Sequence, residues 1–315
     1  MAKLLEIKNL NLYFGENQAL YDINLVLEKG EMLALAGESG CGKTMTAMSI
    51  MRLLPKSAII KSGEIIFNNE NLLYYKEKQM REIRGNKIAL IPQDPMTSLN
   101  PLYTIENQLV EAIRAHKQVS RNQAKRKVKE VLDLVKMPNI DKNLNSYPHE
   151  LSGGMKQRIV IATALSTNAE LIIADEPTTA LDVTIQKQIM DLLNEIQHSL
   201  GTTILLISHD LALVSNYANT ISIMYSGHIV EQADAFEFFK NPLHPYSQAL
   251  LNSLPSKNPL LRLRTIEGAP PSIQEHISGC KFHPRCNYCN ERICTTKQPI
   301  LQEKKDNHLS ACLIR

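Results

Sequence analysis

The eight residues GESGCGKT at positions 37–44 decide how the rest of this 315-residue chain is read. An apolar run, MLALA at 32–36, precedes them and a run of good helix formers at 45–54 follows, so the local order is strand, glycine loop, helix. In that order successive backbone N–H groups and a helix N-terminus converge on a phosphate, and the helix dipole favours its negative charge. Gly37, Gly40 and Gly42 allow a close approach that a Cβ would block, with Glu38, Ser39 and Cys41 completing the loop. Lys43 then reaches the outer phosphates and Thr44 offers its hydroxyl to Mg²⁺. The stretch predicts nucleotide binding.

Around it, an apolar content of 43% and a charged content of 21% describe an ordinary folded protein. The net charge of +3 is mild and no charge block suggests a nucleic-acid arm, so no nucleic-acid partner is expected. The N-terminal MAKLLEIKNL lacks an apolar segment long enough for a signal peptide, and no run approaches the ~18 apolar residues of a membrane span. A cytosolic location is expected unless a partner holds the chain at a membrane. Of six cysteines, Cys41 sits in the loop and the other five lie in the tail.

Taken in order, residues 4–12 and 22–27 alternate as strands, with Tyr13 and Phe14 between them. An aromatic here is either core or a stacking partner for an adenine, Phe14 ahead of Tyr13. Short apolar runs at 65–67 and 88–91 read as strands, the second ending in Pro92-Gln93-Asp94-Pro95. Residues 104–116 and 120–135 have helical spacing, and the latter opens on a Ser120-x-x-Gln123 capping box. LSGGMKQR at 151–158 leads into another helix, and LIIADEP at 171–177 is a buried-type strand ending in Asp175 and Glu176. A helix at 182–200, a strand at 202–207, then Ser208-His209-Asp210 and a hairpin at 220–231 turning on Ser226-Gly227 close the core. Strands alternating with helices imply an α/β fold with a largely parallel sheet, whose ligand lies at the C-terminal strand ends. From about 235 onward the prolines multiply, marking an extension.

Residues 37–44, Gln93, LSGGMKQR, Asp175-Glu176, Ala180-Leu181-Asp182 and His209 stand in the order seen in ATP-binding-cassette (ABC) ATPases, which residues 4–235 resemble. The resemblance implies an ABC-type P-loop NTPase core with an antiparallel β subdomain and a helical insertion at about 95–155. The ATPase domain is expected over 1–235 and the extension over 236–315. It also implies roles. Asp175 helps hold Mg²⁺ with Thr44 and Gln93, and a carboxylate suits that hard cation. Glu176 polarises the attacking water, His209 contacts the γ-phosphate, and Gln93 senses metal and water. Ser152, Gly153 and Gly154 form a second anion site that faces the ATP of another subunit, so two chains must meet head to tail.

The tail resembles a narrower group, the ATPases of oligopeptide and dipeptide importers, with nickel importers as close relatives. The likeness rests on NPLHPY at 241–246, Gln248 to Leu254 with Pro255, IPQDPMTSLNP at 91–101, DEPTTALDVTIQ at 175–186 and HPRC at 283–286. Cys280, Cys286, Cys294 and Cys312 resemble a cysteine-bearing end that in some members holds a [4Fe–4S] cluster. Their spacing alone supports only a metal site, with zinc or unligated thiols as alternatives. The interval from Cys286 to Cys294 is longer than the usual form and contains Cys289, so the third ligand is either Cys289 or Cys294.

The expected function is therefore ATP hydrolysis that powers peptide import from the cytoplasmic face of the membrane. The expected partners are a second, related but non-identical ATPase chain, two permease subunits and an extracytoplasmic solute-binding protein. Nickel or another small solute is the alternative cargo. An ABC ATPase acting on nucleic acid or the ribosome is less favoured, because the insertion is short and the chain holds one cassette.

Overall fold

In a computed structural model, which describes residues 2–179, 181–254 and 265–315, the chain forms two compact units. One takes the residues up to Leu73 together with Ile207–Arg315; the other is Tyr74–Leu206. Ala180, Pro255 and Pro259 lie outside the described residues. The strands in chain order are β1 (Lys3–Phe14), β2 (Asn17–Glu28), β3 (Met32–Ala36), β4 (Ala58–Phe67), β5 (Glu70–Asn71), β6 (Ile88–Ile91), β7 (Leu171–Asp175), β8 (Thr203–Ser208), β9 (Thr220–Tyr225), β10 (His228–Asp234), β11 (Gln302–Lys305) and β12 (His308–Ser310).

The first unit holds an antiparallel sheet in the order β2-β1-β4-β5 and a second run of strands in the order β11-β12-β10-β9-β3. β3 pairs with β9 in parallel, and all five of its residues are buried, as a strand covered on both faces requires. β9 and β10 form the hairpin expected around Ser226-Gly227. β4 begins seven residues before the apolar run at 65–67 that marks it in sequence, because Lys61, Ser62 and Gly63 interrupt the pattern. Gly63 is needed there: at φ +109 its missing Cβ would stand 2.6 Å from Leu10 Cα on the neighbouring strand. The extension does not stand apart. β12 pairs with β10, so the tail adds to the run of strands that contains the phosphate loop's own β3.

The second unit contains β6 and β7, paired in parallel, and the helices around them. Helices Ile105–His116 and Arg121–Leu134 match the spacing read from the sequence. The capping box forms in full: Ser120 Oγ accepts from Gln123 N–H and Gln123 Oε1 accepts from Ser120 N–H at 2.8 Å. Val128, Val131 and Leu132 are buried on one face, each worth roughly 1.5–3 kcal/mol of burial. This unit is wider than the insertion expected at 95–155. β8 carries the chain across the boundary between the two units.

Candidate functional site

In the first unit the loop at 37–44 turns directly into helix Lys43–Met51, whose N-cap is Gly42. Two glycines are obligatory. Gly37 at φ +149 would place a Cβ 2.2 Å from Met224 O, and Gly42 at φ +111 would place one 2.8 Å from Leu20 and Met224 side chains. Lys43 is 5% exposed, and its Nζ donates to Gly37 O at 2.8 Å and Glu38 O at 3.0 Å. The ammonium is thereby held at the mouth of the loop it serves. Cys41 is buried, and burial pushes its thiol pKa up, which suits a small packing residue. His209 follows β8 and is exposed. Tyr13 is occupied structurally, with Lys61 Nζ 3.8 Å from its ring centre and its hydroxyl donating to Gln18.

Glu38 is engaged in a way the motif does not announce. Its backbone N–H donates to Tyr246 Oη at 2.9 Å, and its carboxylate accepts from both terminal nitrogens of Arg285, at 2.7 and 3.0 Å.

In the second unit Asp175 ends β7 and is 3% exposed, while Glu176 takes φ +47, a left-handed conformation that costs a non-glycine residue energy. Glu176 Oε2 accepts from Gln93 Nε2 at 2.9 Å and from Thr179 Oγ1 at 3.1 Å. These two bonds fix the orientation of the carboxylate. Gln93, expected to sense metal and water, thus reaches the general-base candidate itself. Thr179 escaped the sequence reading, although its place three residues after Glu176 is the spacing of a local side-chain bond.

Ser152 caps helix Gly153–Leu165, its Oγ accepting from Met155 N–H at 3.4 Å. Gly154 packs under Ile185, which a Cβ would approach to 2.9 Å. Beyond Gln93, Asp94 caps the short helix Pro95–Ser98, and a cavity of about 680 Å³ opens among Pro92, Leu99, Asn100, Tyr103, His116 and Val160. Met96, Leu102 and Tyr103 are exposed beside it.

Comparison with known proteins agrees with this anatomy. A family model described as "ABC transporter" matches residues 20–179, and one described as "Oligopeptide/dipeptide transporter, C-terminal region" matches residues 230–294. A probable peptide ABC transporter ATP-binding protein of Sinorhizobium fredii is 48% identical over 98% of this chain and 94% of its own length. The oligopeptide transport ATP-binding protein OppD of Bacillus subtilis is 43% identical over 98% of this chain and 88% of its own. The chain belongs to the ABC transporter ATP-binding family. Among solved structures, an ATP-binding cassette in a dimeric post-hydrolysis state with ADP and Pi aligns with a TM-score of 0.66 at 27% identity, over 74% of this chain and 99% of that one. As an ABC ATPase the chain hydrolyses ATP, and ATP and Mg²⁺ are the cofactors the family implies. The loop fits them in chemistry: it runs into a helix N-terminus at Gly42, and the Lys43 ammonium is held against its carbonyls.

The tail cysteines are a different matter. Cys280, Cys286, Cys294 and Cys312 line one small cavity with Tyr288 and His283, whereas Cys289 is not among its lining residues and contacts Cys294 from outside. Burial first, and then the neighbouring thiols, push Cys280 up to about 11 and Cys286 also upward, so these groups are protonated at neutral pH as they stand. Among the described residues no group of three or more His, Cys, Asp or Glu side chains is placed to hold a metal ion. The expected iron–sulfur or zinc centre therefore lacks support in this arrangement.

Proposed function

We propose that this ABC ATPase powers import of di- and oligopeptides through separate permease subunits. The observation that carries the reading is the pairing of an ABC cassette with a C-terminal region of oligopeptide/dipeptide transporter type in one chain. Relatives named for dipeptide and oligopeptide transport, 41–43% identical over nearly the whole chain, support it and do not favour a nickel carrier. We take residues 1–235 as the ATPase domain and 236–315 as the extension. Gly37, Ser39, Gly40, Gly42 and Lys43 cradle the phosphates, Thr44, Asp175 and Gln93 hold Mg²⁺, Glu176 activates water, His209 contacts the γ-phosphate and Phe14 stacks on the base.

Among the described residues no helix is long and apolar enough to cross a membrane, which fits a chain that sits at the cytoplasmic face on permease partners. The cavity beside Gln93, with its exposed Met96, Leu102 and Tyr103, suits a short permease helix. A second ATPase chain supplies the facing signature, and an extracytoplasmic binding protein selects the solute.

Cells carrying Lys43→Ala are expected to lose uptake of labelled di- and oligopeptides to background while nickel uptake is unchanged. Loss of nickel uptake alone would reverse the choice of cargo. For the tail, a metal centre remains the finer reading of four converging thiols. Iron, zinc and acid-labile sulfide measured on protein purified without oxygen test it. About four irons and four sulfides per chain would establish a cluster, and absence of metal would reduce the cysteines to packing groups.

A further inference from the structure

We propose that the C-terminal extension shapes the phosphate loop, with Arg285 and Tyr246 acting as positioning residues that hold the loop ready for ATP. The inference rests on residues 37–44 binding ATP and is independent of the solute carried.

Arg285 lies on the short 3₁₀ turn His283–Arg285, immediately before Cys286. Its side chain is 6% exposed and meets Glu38, at 25%, as a two-pronged ion pair with bonds of 2.7 and 3.0 Å. This geometry uses the planar guanidinium in the way that makes such pairs strong and directional. Two further donors are also placed: Nε donates to Glu267 O at 3.0 Å, and Nη1 also reaches Tyr225 Oη at 3.4 Å. A guanidinium fixed at several points cannot follow Glu38 if the loop moves, so it constrains the loop.

Tyr246 acts on the same residue from another direction. Its ring is fully buried among Tyr225 and Phe282, with ring centres 4.6 and 5.3 Å away. Its hydroxyl accepts the Glu38 N–H, and burial keeps that hydroxyl protonated by raising its pKa. Tyr246 is in turn set by His244, whose Nδ1 accepts the Tyr246 N–H at 3.1 Å. Burial lowers His244 to about 4, against the opposing pull of Glu231, so the ring is neutral and able to accept. Behind it, Glu231 is fully buried and accepts from Leu243 and His244 N–H at 2.7 and 2.8 Å, with His308 Nε2 at 2.7 Å. A chain of hydrogen-bonded buried polar groups thus runs from His308 on β12, through Glu231, His244 and Tyr246, to the second residue of the phosphate loop.

A phosphate loop must present its N–H groups in one fixed arrangement, and flexibility there weakens binding by the fraction of time the arrangement is lost. Two tail contacts on one loop residue remove that freedom. The tail contributes no group to the phosphates themselves; it acts through Glu38.

The test is titration of the full-length chain with Mg·ADP, with thermal unfolding followed in parallel. Arg285→Ala is expected to weaken binding about tenfold, within the usual range of coupling between sites. Arg285→Lys, which keeps the charge and one donor, is expected to recover most of that loss. In a Glu38→Ala background, Arg285→Ala is expected to add nothing further, because both changes break one link. Unchanged affinity in Arg285→Ala, or losses that simply add, would overturn the proposal, whatever happens to the melting temperature. If Arg285→Ala does not fold, Tyr246→Phe decides: deleting one hydroxyl is expected to weaken binding about threefold, and unchanged affinity overturns the coupling. If the unaltered chain bound no nucleotide, the ATP-binding reading would fall as well, an outcome distinct from failure of the variants alone.

Discussion

Glu176→Gln is expected to bind Mg·ATP within about twofold of the unaltered chain and to lose turnover by about 10²- to 10⁴-fold, the usual contribution of a positioned general base. The substitution is nearly isosteric, which makes it informative. Two bonds to the carboxylate, from Gln93 Nε2 and Thr179 Oγ1, end on the same oxygen, Oε2. A glutamine carbonyl can occupy that place and keep both donors satisfied, so the residue's position and its unusual φ of +47 need not change. What is lost is the second oxygen, replaced by an NH₂ that cannot accept a proton. The expected product is an ATP-loaded chain arrested in its closed, paired state, read by phosphate release and by an ATP-dependent dimer in size-exclusion chromatography. Turnover at the normal rate would remove Glu176 from the base role and leave Gln93 without a catalytic partner.

That bond from Gln93 to Glu176 joins residues 83 apart, and it marks the limit of what spacing can reveal. Features whose partners lie within a few residues are legible. The loop at 37–44, the box at Ser120 and Gln123, the helix Val183–Leu200 stopped by Gly201 in the left-handed conformation, and the apolar run ending at Asp175 all carry their reasons locally. The strands β11 and β12 are not legible. β11 is QEKK, exposed throughout, and it exists because β12 offers it an edge, not because its side chains prefer a sheet. Arg285 and Glu38 are separated by 247 residues. Sequence shows HPRC and GESGCGKT as two motifs; only folding shows that one grips the other. The cysteines stand between these cases: Cys280, Cys286, Cys294 and Cys312 are spread over 33 residues of sequence yet line one cavity, and spacing alone does not say what they hold.

The second large effect separates what a chain does for its own ATP from what it does for its neighbour's. Ser152→Arg is expected to reduce turnover by about 100-fold or more, the scale of losing one anion-stabilising donor set, while the same chain's affinity for Mg·ATP stays within about twofold. The local cost is small. Ser152 is exposed and its bond to Met155 N–H is long at 3.4 Å, so losing the cap costs about 1 kcal/mol or less. Arginine at a helix N-terminus adds a dipole penalty of about 0.3–1 kcal/mol, which a chain of this size tolerates. The functional cost is expected to be large on the proposal that Ser152, Gly153 and Gly154, at the start of a 13-residue helix, receive a phosphate, because a bulky cation would then fill the space that phosphate needs. One chain carries one phosphate loop and one such signature. If the signature serves ATP held by a partner, binding by the altered chain survives and only the paired state fails. Nucleotide titration of the lone chain, set against turnover of the assembled transporter, distinguishes the two: if the lone chain lost its ATP, the signature would belong to its own site and the head-to-tail pairing would have no basis in these residues.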